Sequence, residues 1–166
     1  KLIINEIYSA YLDNCFYITM RGKELPKILK EVKACIASLI ALEVVEETSD
    51  KLVARSFLNL QDADVKLLMR RMDNIVRSMM QDLIEAVNDE ELSTAISARD
   101  IEVNRLYMLL FKILKAGFLD RSIMHALNLT DLEVLRYWVL NHHIEKVGDR
   151  VKNMAQVAHR LAPPQK

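Results

Sequence analysis

Residues 141–156 read NHHIEKVGDRVKNMAQ. Two adjacent histidines, His142 and His143, precede Glu145 and Asp149, which are four residues apart. In a helix, positions i and i+4 project from one face, one turn apart. Two carboxylates so placed repel each other unless a cation lies between them. A metal ion would serve, because hard and borderline ions take oxygen ligands, and His142 could add a nitrogen. A basic side chain would also serve, and Lys146 and Arg150 lie within a turn. The plain alternative is the solvated side of an ordinary helix. A second polar stretch, ARDIEVNRLY, sets Asp100 four residues before Asn104, with Glu102 between them.

Motifs for other chemistry are missing. No glutamate has the Glu-x-x-His spacing of di-iron helix bundles. There is no H-E-x-x-H, P-loop, G-x-S-x-G or G-x-G-x-x-G. The pattern therefore favours a non-enzymatic protein. A carboxylate-bridged metalloenzyme on a helical bundle is the rival reading.

Composition narrows the classes further. The 23 basic residues balance 23 acidic ones, which gives bulk nucleic-acid binding no support. Aromatic residues are 6% of the chain, too few to suggest a base-stacking surface. Cys15 and Cys35 have no metal-like spacing and read as free thiols of a reducing, cytoplasmic compartment. No apolar run approaches the roughly 20 residues needed to span a bilayer. The chain begins at Lys1 without methionine, as a piece of a longer protein would.

The elements that must carry these groups fall into two sets. Leu2, Ile3, Ile7, Ala10 and Tyr11 share one helical face, which stops at Asp13–Asn14. CFYIT reads as a strand ended by Arg21–Gly22. A helix follows, with Pro26 in its first turn. LEVVEET and KLVARSFL then flank a short turn as two strands. This αβαββ order predicts a small domain over 1–60.

Over 61–162 three long helices are expected. The first runs from Asp62 to about Val87, capped by Asp62 or Asp64, and NDEE at 88–91 breaks it. Its apolar series includes Met69, Met72, Val76, Met79 and Met80. The second begins at Ser93 or Ser97 and fades near Gly117, with Ile101, Leu106, Leu109, Leu110, Ile113 and Leu114 inward. The third starts at a Thr130/Glu133 capping box and runs to about Leu161, before Pro163–Pro164. Its expected apolar face is Ile144, Val147, Val151 and Met154, with Glu145 and Asp149 at the border. Short connections make the three an antiparallel bundle. The fold class is thus α+β, mainly α.

RDIEVNRLYMLL and HHIEKVGDRVKNMA resemble the two acidic helix segments of PhoU-type phosphate-uptake regulators, in the same order. The N-terminal part, including ALEVVEETSDKLVARSFL, resembles the αβαββ region of archaeal PhoU-like proteins. That resemblance implies regulation of phosphate uptake and phosphate-responsive transcription. It implies a homodimer and a partner such as a phosphate ABC-transporter component or a signalling kinase. DNA contact would come only through an upstream AbrB/SpoVT-like domain. It also implies iron or zinc held by Asp100, Glu102, Glu145 and Asp149; the family pattern does not require His142, which could add a nitrogen. Two positions depart from the family pattern: Asn104 where an Asp is usual, and Arg150 where a His is frequent. A module that only pairs DNA-binding heads is the remaining alternative.

Overall fold

A computed structural model describes residues 2–87 and 89–161. Asn88, expected in the helix break, and Pro163–Pro164 lie outside the described residues, as does the side chain of Val87. The chain is mainly helical, with one small antiparallel sheet near its start followed by a helical bundle. The order is α1 (Leu2–Leu12), β1 (Tyr17–Arg21), α2 (Leu25–Ser38), β2 (Leu42–Glu47), β3 (Lys51–Ser56), α3 (Val65–Asp82), α4 (Glu90–Leu119), α5 (Arg121–Ala126) and α6 (Asp131–Leu161). A 3₁₀ turn, Leu60–Asp62, precedes α3, and another, Glu85–Val87, follows it. The αβαββ order and the three long helices expected from periodicity are present.

Caps explain most boundaries. Of the two candidate caps for α3 it is Asp64 that serves, accepting a hydrogen bond from the Leu67 amide at 2.9 Å. Asp89 accepts from the amides of Glu91 and Leu92 at 2.9 and 3.1 Å. This starts α4 at Glu90, ahead of the expected Ser93 or Ser97. Gly117 does not end α4, which continues to Leu119. Asp120 then caps α5, a short helix that periodicity does not reveal, through the Ser122 amide at 2.8 Å. Asn128, at φ 51°, takes the left-handed conformation that stops a helix.

Contacts divide the chain into two compact units: up to Ala63 with Phe111–Asp131, and Asp64–Leu110 with the chain from Leu132 onward. The first holds the sheet, ordered β1-β3-β2, with both pairings antiparallel. Thr19 faces Val53 and Val44 faces Ala54, and a bulge interrupts β2 between Val44 and Glu46. Ile18, Met20, Leu42, Leu52, Ala54 and Ser56 are buried. The core of this unit also contains Lys112, which is 0% exposed. Its Nζ donates to Ser56 Oγ at 3.1 Å and lies 4.2 Å from the Tyr11 ring centre. Burial pushes its pKa down to about 8.

The second unit is the bundle. Arg71 on α3 meets Glu102 on α4, and Arg99 on α4 meets Ser78 and Asp82 on α3, so the two helices run antiparallel. Asn141 Nδ2 on α6 donates to the Tyr107 carbonyl, and Gln156 Nε2 donates to Ser97 Oγ, so α4 and α6 are antiparallel as well. Met69, Met72, Val76 and Met79 are buried as expected, but Met80 is exposed. Ile101 is exposed too, and Val103 takes the inward position on α4.

The larger correction concerns α6. Val147 and Met154 point outward, while Asn141, Glu145, Gly148, Val151 and Ala155 face in. Val151 faces in as expected, and Asn141 and Glu145 share that side with Gly148 and Ala155, so the inner face mixes polar and small or apolar residues.

Candidate functional site

Asp100 is 3% exposed and Glu145 8%, although neither is apolar. Two features make this tolerable. One is the absent side chain of Gly148. A Cβ there would stand 3.4 Å from Val103 and from Val76, and 4.0 Å from Asp100 Oδ1. The backbone of α6 therefore approaches α3 and α4 closely, and carboxylates on α4 and α6 meet donors on α6. The other is Lys152, whose Nζ reaches Asp100 Oδ2 at 2.7 Å and Asp149 Oδ1 at 3.0 Å. One ammonium thus bridges two acidic groups on two helices. Lys146 adds a looser contact to Glu145 at 3.3 Å and to Asp149 at 3.8 Å.

The electrostatics follow from these distances. The hydrogen bond from Lys152 holds the Asp149 carboxyl below the usual carboxylate range. Partial burial pulls the Lys152 pKa down, but its bonds to Asp100 and Asp149 outweigh this, and the net shift is upward. Burial, then the charge of Glu145, raises the nearby Tyr107 phenol.

Asn104 completes the arrangement. Its Nδ2 donates to Asp100 Oδ2 at 3.1 Å, the same oxygen that Lys152 holds. An aspartate at this position could not donate. The other oxygen, Asp100 Oδ1, is buried and has no hydrogen-bond partner.

The expected ligand set is only partly brought together. Asp100, Glu145 and Asp149 share the network, but Glu102 turns to Arg71 at 2.5 Å and to Arg105 at 3.4 Å. His142 is exposed, with its ring tilted beside that of His143 at 5.9 Å between centres. Among the described residues no three of His, Cys, Asp and Glu gather as ligands for a metal ion. The donors around Asp100 are an ammonium and an amide, both on Oδ2, which make an ion-pair network and not a coordination shell. So arranged, the residues do not fit an iron or zinc centre. The sequence reading looked to Lys146 and Arg150 for neutralising charge and overlooked Lys152. Its signal was the i, i+3 spacing from Asp149.

Against known families, the PhoU domain matches residues 69–158, from within α3 to near the end of α6. That is more than half of the chain, and it contains the whole network. The chain belongs to the PhoU family. PhoU proteins are regulators of phosphate transport and form a non-enzymatic family. No curated protein and no solved structure matches the chain. Among the described residues of this PhoU protein, no helix is long and apolar enough to cross a membrane.

Proposed function

We propose that this chain is a non-enzymatic regulator of phosphate uptake and of phosphate-responsive transcription, working as a homodimer in the cytoplasm. The observation that carries this reading is the PhoU match over the bundle that contains the Asp100–Lys152–Asp149 bridge. The network offers no nucleophile and no open acid–base pair. Its chemistry is that of a clamp between α4 and α6, suited to holding one arrangement of a bundle that contacts another protein. The partner is a phosphate ABC-transporter component or a signalling kinase. DNA contact comes through an upstream AbrB/SpoVT-like domain of the archaeal type, and 1–60 and 61–162 act as its two following modules. Deleting the gene is expected to change phosphate uptake and phosphate-responsive transcription. Wild-type behaviour in both would sink the proposal.

Binding of iron or zinc is a branch of the same reading that needs Lys152 to leave Asp100 and Asp149. Elemental analysis of protein purified without an affinity tag checks it. Wild type is expected to carry no stoichiometric metal. Metal in wild type that is lost in Glu145→Ala/Asp149→Ala would make the acidic residues ligands after all.

A further inference from the structure

A groove runs along α3, and α4 supplies its far wall at Arg99. It is a cavity of about 640 Å³ that lies wholly within the helical unit. Its α3 wall is the row Leu67, Arg71, Asn74 and Ser78. These positions recur at i, i+4, i+7 and i+11, so they share one face over three turns, roughly 16 Å. Leu68 and Ile75 line the groove beside that row and are half-buried. Leu67 is 61% exposed. The floor is therefore apolar and wet.

The chain as a whole is neutral, but the groove is not. Arg70, Arg71 and Arg99 line it, and among the described residues no acidic side chain does. The three arginines are not equally engaged. Arg99 is held by Asp82 at 2.5 Å and by Ser78. Arg71 gives Nη2 to Glu102 at 2.5 Å. Arg70 is exposed and makes no ion pair among the described residues. A free guanidinium beside an apolar floor complements an occupant that is both acidic and apolar.

The walls narrow the choice of occupant. Both are helices, whose backbone groups bond within themselves, so an extended strand finds no edge to pair with. A small-ligand pocket buries most of its ligand, and a wall with Leu67 so exposed does not enclose one. No aromatic side chain lines the groove among the described residues, so nucleic-acid bases find nothing to stack on. A helix laid in the groove uses its whole length, its apolar floor and its charge.

We infer that this groove on α3 docks an acidic amphipathic helix of a partner protein, with the apolar side chains of that helix on Leu67, Leu68 and Ile75 and its carboxylates on Arg70 and Arg71. This deepens the proposed function, on which it rests for the existence of a protein partner.

A displayed library of helical peptides of about 18 residues, five turns, selected on the immobilised full chain, tests it. Enriched peptides are expected to be net acidic, with leucine or isoleucine at i, i+3 or i+4, and i+7. Fluorescence anisotropy with the strongest of them should show binding weakened about tenfold by Leu67→Asp and about tenfold by Arg70→Glu. The same peptide with lysine for each glutamate should reverse the preference and bind Arg70→Glu better than wild type. Both residues are exposed, so circular dichroism should show intact helices; Leu67→Ser and Arg70→Gln replace any variant that unfolds. Sedimentation of the variants should match wild type. Enrichment of nothing, enrichment of peptides without net negative charge, or indifference to either substitution overturns the groove as a docking site. A change of oligomeric state in either variant would assign it to a second copy, and displacement of the peptide by ATP or an oligonucleotide would assign it to nucleotides; both overturn the inference. Failed selection leaves phosphate regulation standing, and a gene deletion without effect leaves the groove standing, so the two readings fail separately.

Discussion

Two lysines in the two units meet burial in opposite ways. Lys112 is wholly enclosed and has a hydroxyl and an aromatic ring for company, and its pKa falls to about 8. Lys152 is partly enclosed between two carboxylates, and its pKa rises. Burial penalises both ammoniums. What decides the sign is whether an opposite charge is within reach. The first lysine is a cost that its unit carries, and the second is what makes the buried Asp100 acceptable.

Substitutions at Lys152, Lys112 and Gly148 can break or sharpen this contrast. The largest effect belongs to Lys152→Met. It leaves Asp100 buried with the Asn104 amide alone, and removing one partner of a buried pair costs about 3 kcal/mol. Denaturant unfolding should show the loss as a lower midpoint at unchanged slope. Adding Asp100→Asn should return much of it. If Lys152→Met were neutral, the bridge would be ornamental.

The next effect has the opposite sign. Lys112→Met should stabilise by roughly 1–3 kcal/mol at neutral pH, because an apolar chain of similar volume replaces a buried charge. The pH dependence checks the cause. Below about 8 both folded and unfolded chains hold the Lys112 proton, and the folded state bears the full cost. Between about 8 and the ordinary lysine value of 10.5 only the unfolded chain keeps that proton, so stability from this group rises with pH. Lys112→Met should abolish the rise. Lys152 runs the other way: its contribution is complete below the ordinary lysine value and is lost as pH climbs through its raised folded pKa. Asp149 contributes above the ordinary carboxylate range, and that is lost as pH falls through its lowered folded pKa.

Gly148 gives the smallest effect, and it changes spacing instead of charge. Gly148→Ala gains about 1 kcal/mol of helix propensity. It also puts a methyl 3.4 Å from both Val103 and Val76, which is tight. The two should nearly cancel, leaving unfolding free energy within about 0.5 kcal/mol of wild type. Gly148→Leu has no such balance and should cost about 2 kcal/mol by overpacking. A neutral Gly148→Leu would mean that the close approach of α6 does not hold the network together.

The architecture was legible in the sequence because period and capping carry it. Helical stripes, the β-branched runs and aspartates such as Asp64 act locally, over a few residues. The short α5 was not legible, since six residues are too few to show a period and its cap, Asp120, follows directly on α4. The site was half legible. Glu145 and Asp149 stood out as a pair, but their resolution lay across the bundle, in Asp100 and in a lysine that looked like one more solvated charge. The same logic misplaced the apolar face of α6. Hydrophobicity alone favoured Val147 and Met154 along with Val151 for the interior, and it could not register that Asn141 and Glu145 would take places on that side beside Gly148, Val151 and Ala155. Lys112 was hidden for a related reason: within LLFKILKAGF it reads as a polar break in an apolar run.

The bulge between Val44 and Glu46 also bears on behaviour at high concentration. β2 is an outer strand, so one side of its backbone has no neighbour within the sheet. A regular outer strand is a template on which other chains can stack without limit. Here the register breaks midway, and charged side chains line the strand: Glu43, with Glu46 and Glu47 paired to Lys51 and Lys33. Neither the spacing nor the charge of that rim suits a second extended chain. That rim of the sheet is therefore poorly suited to the open-ended stacking that a regular outer strand invites.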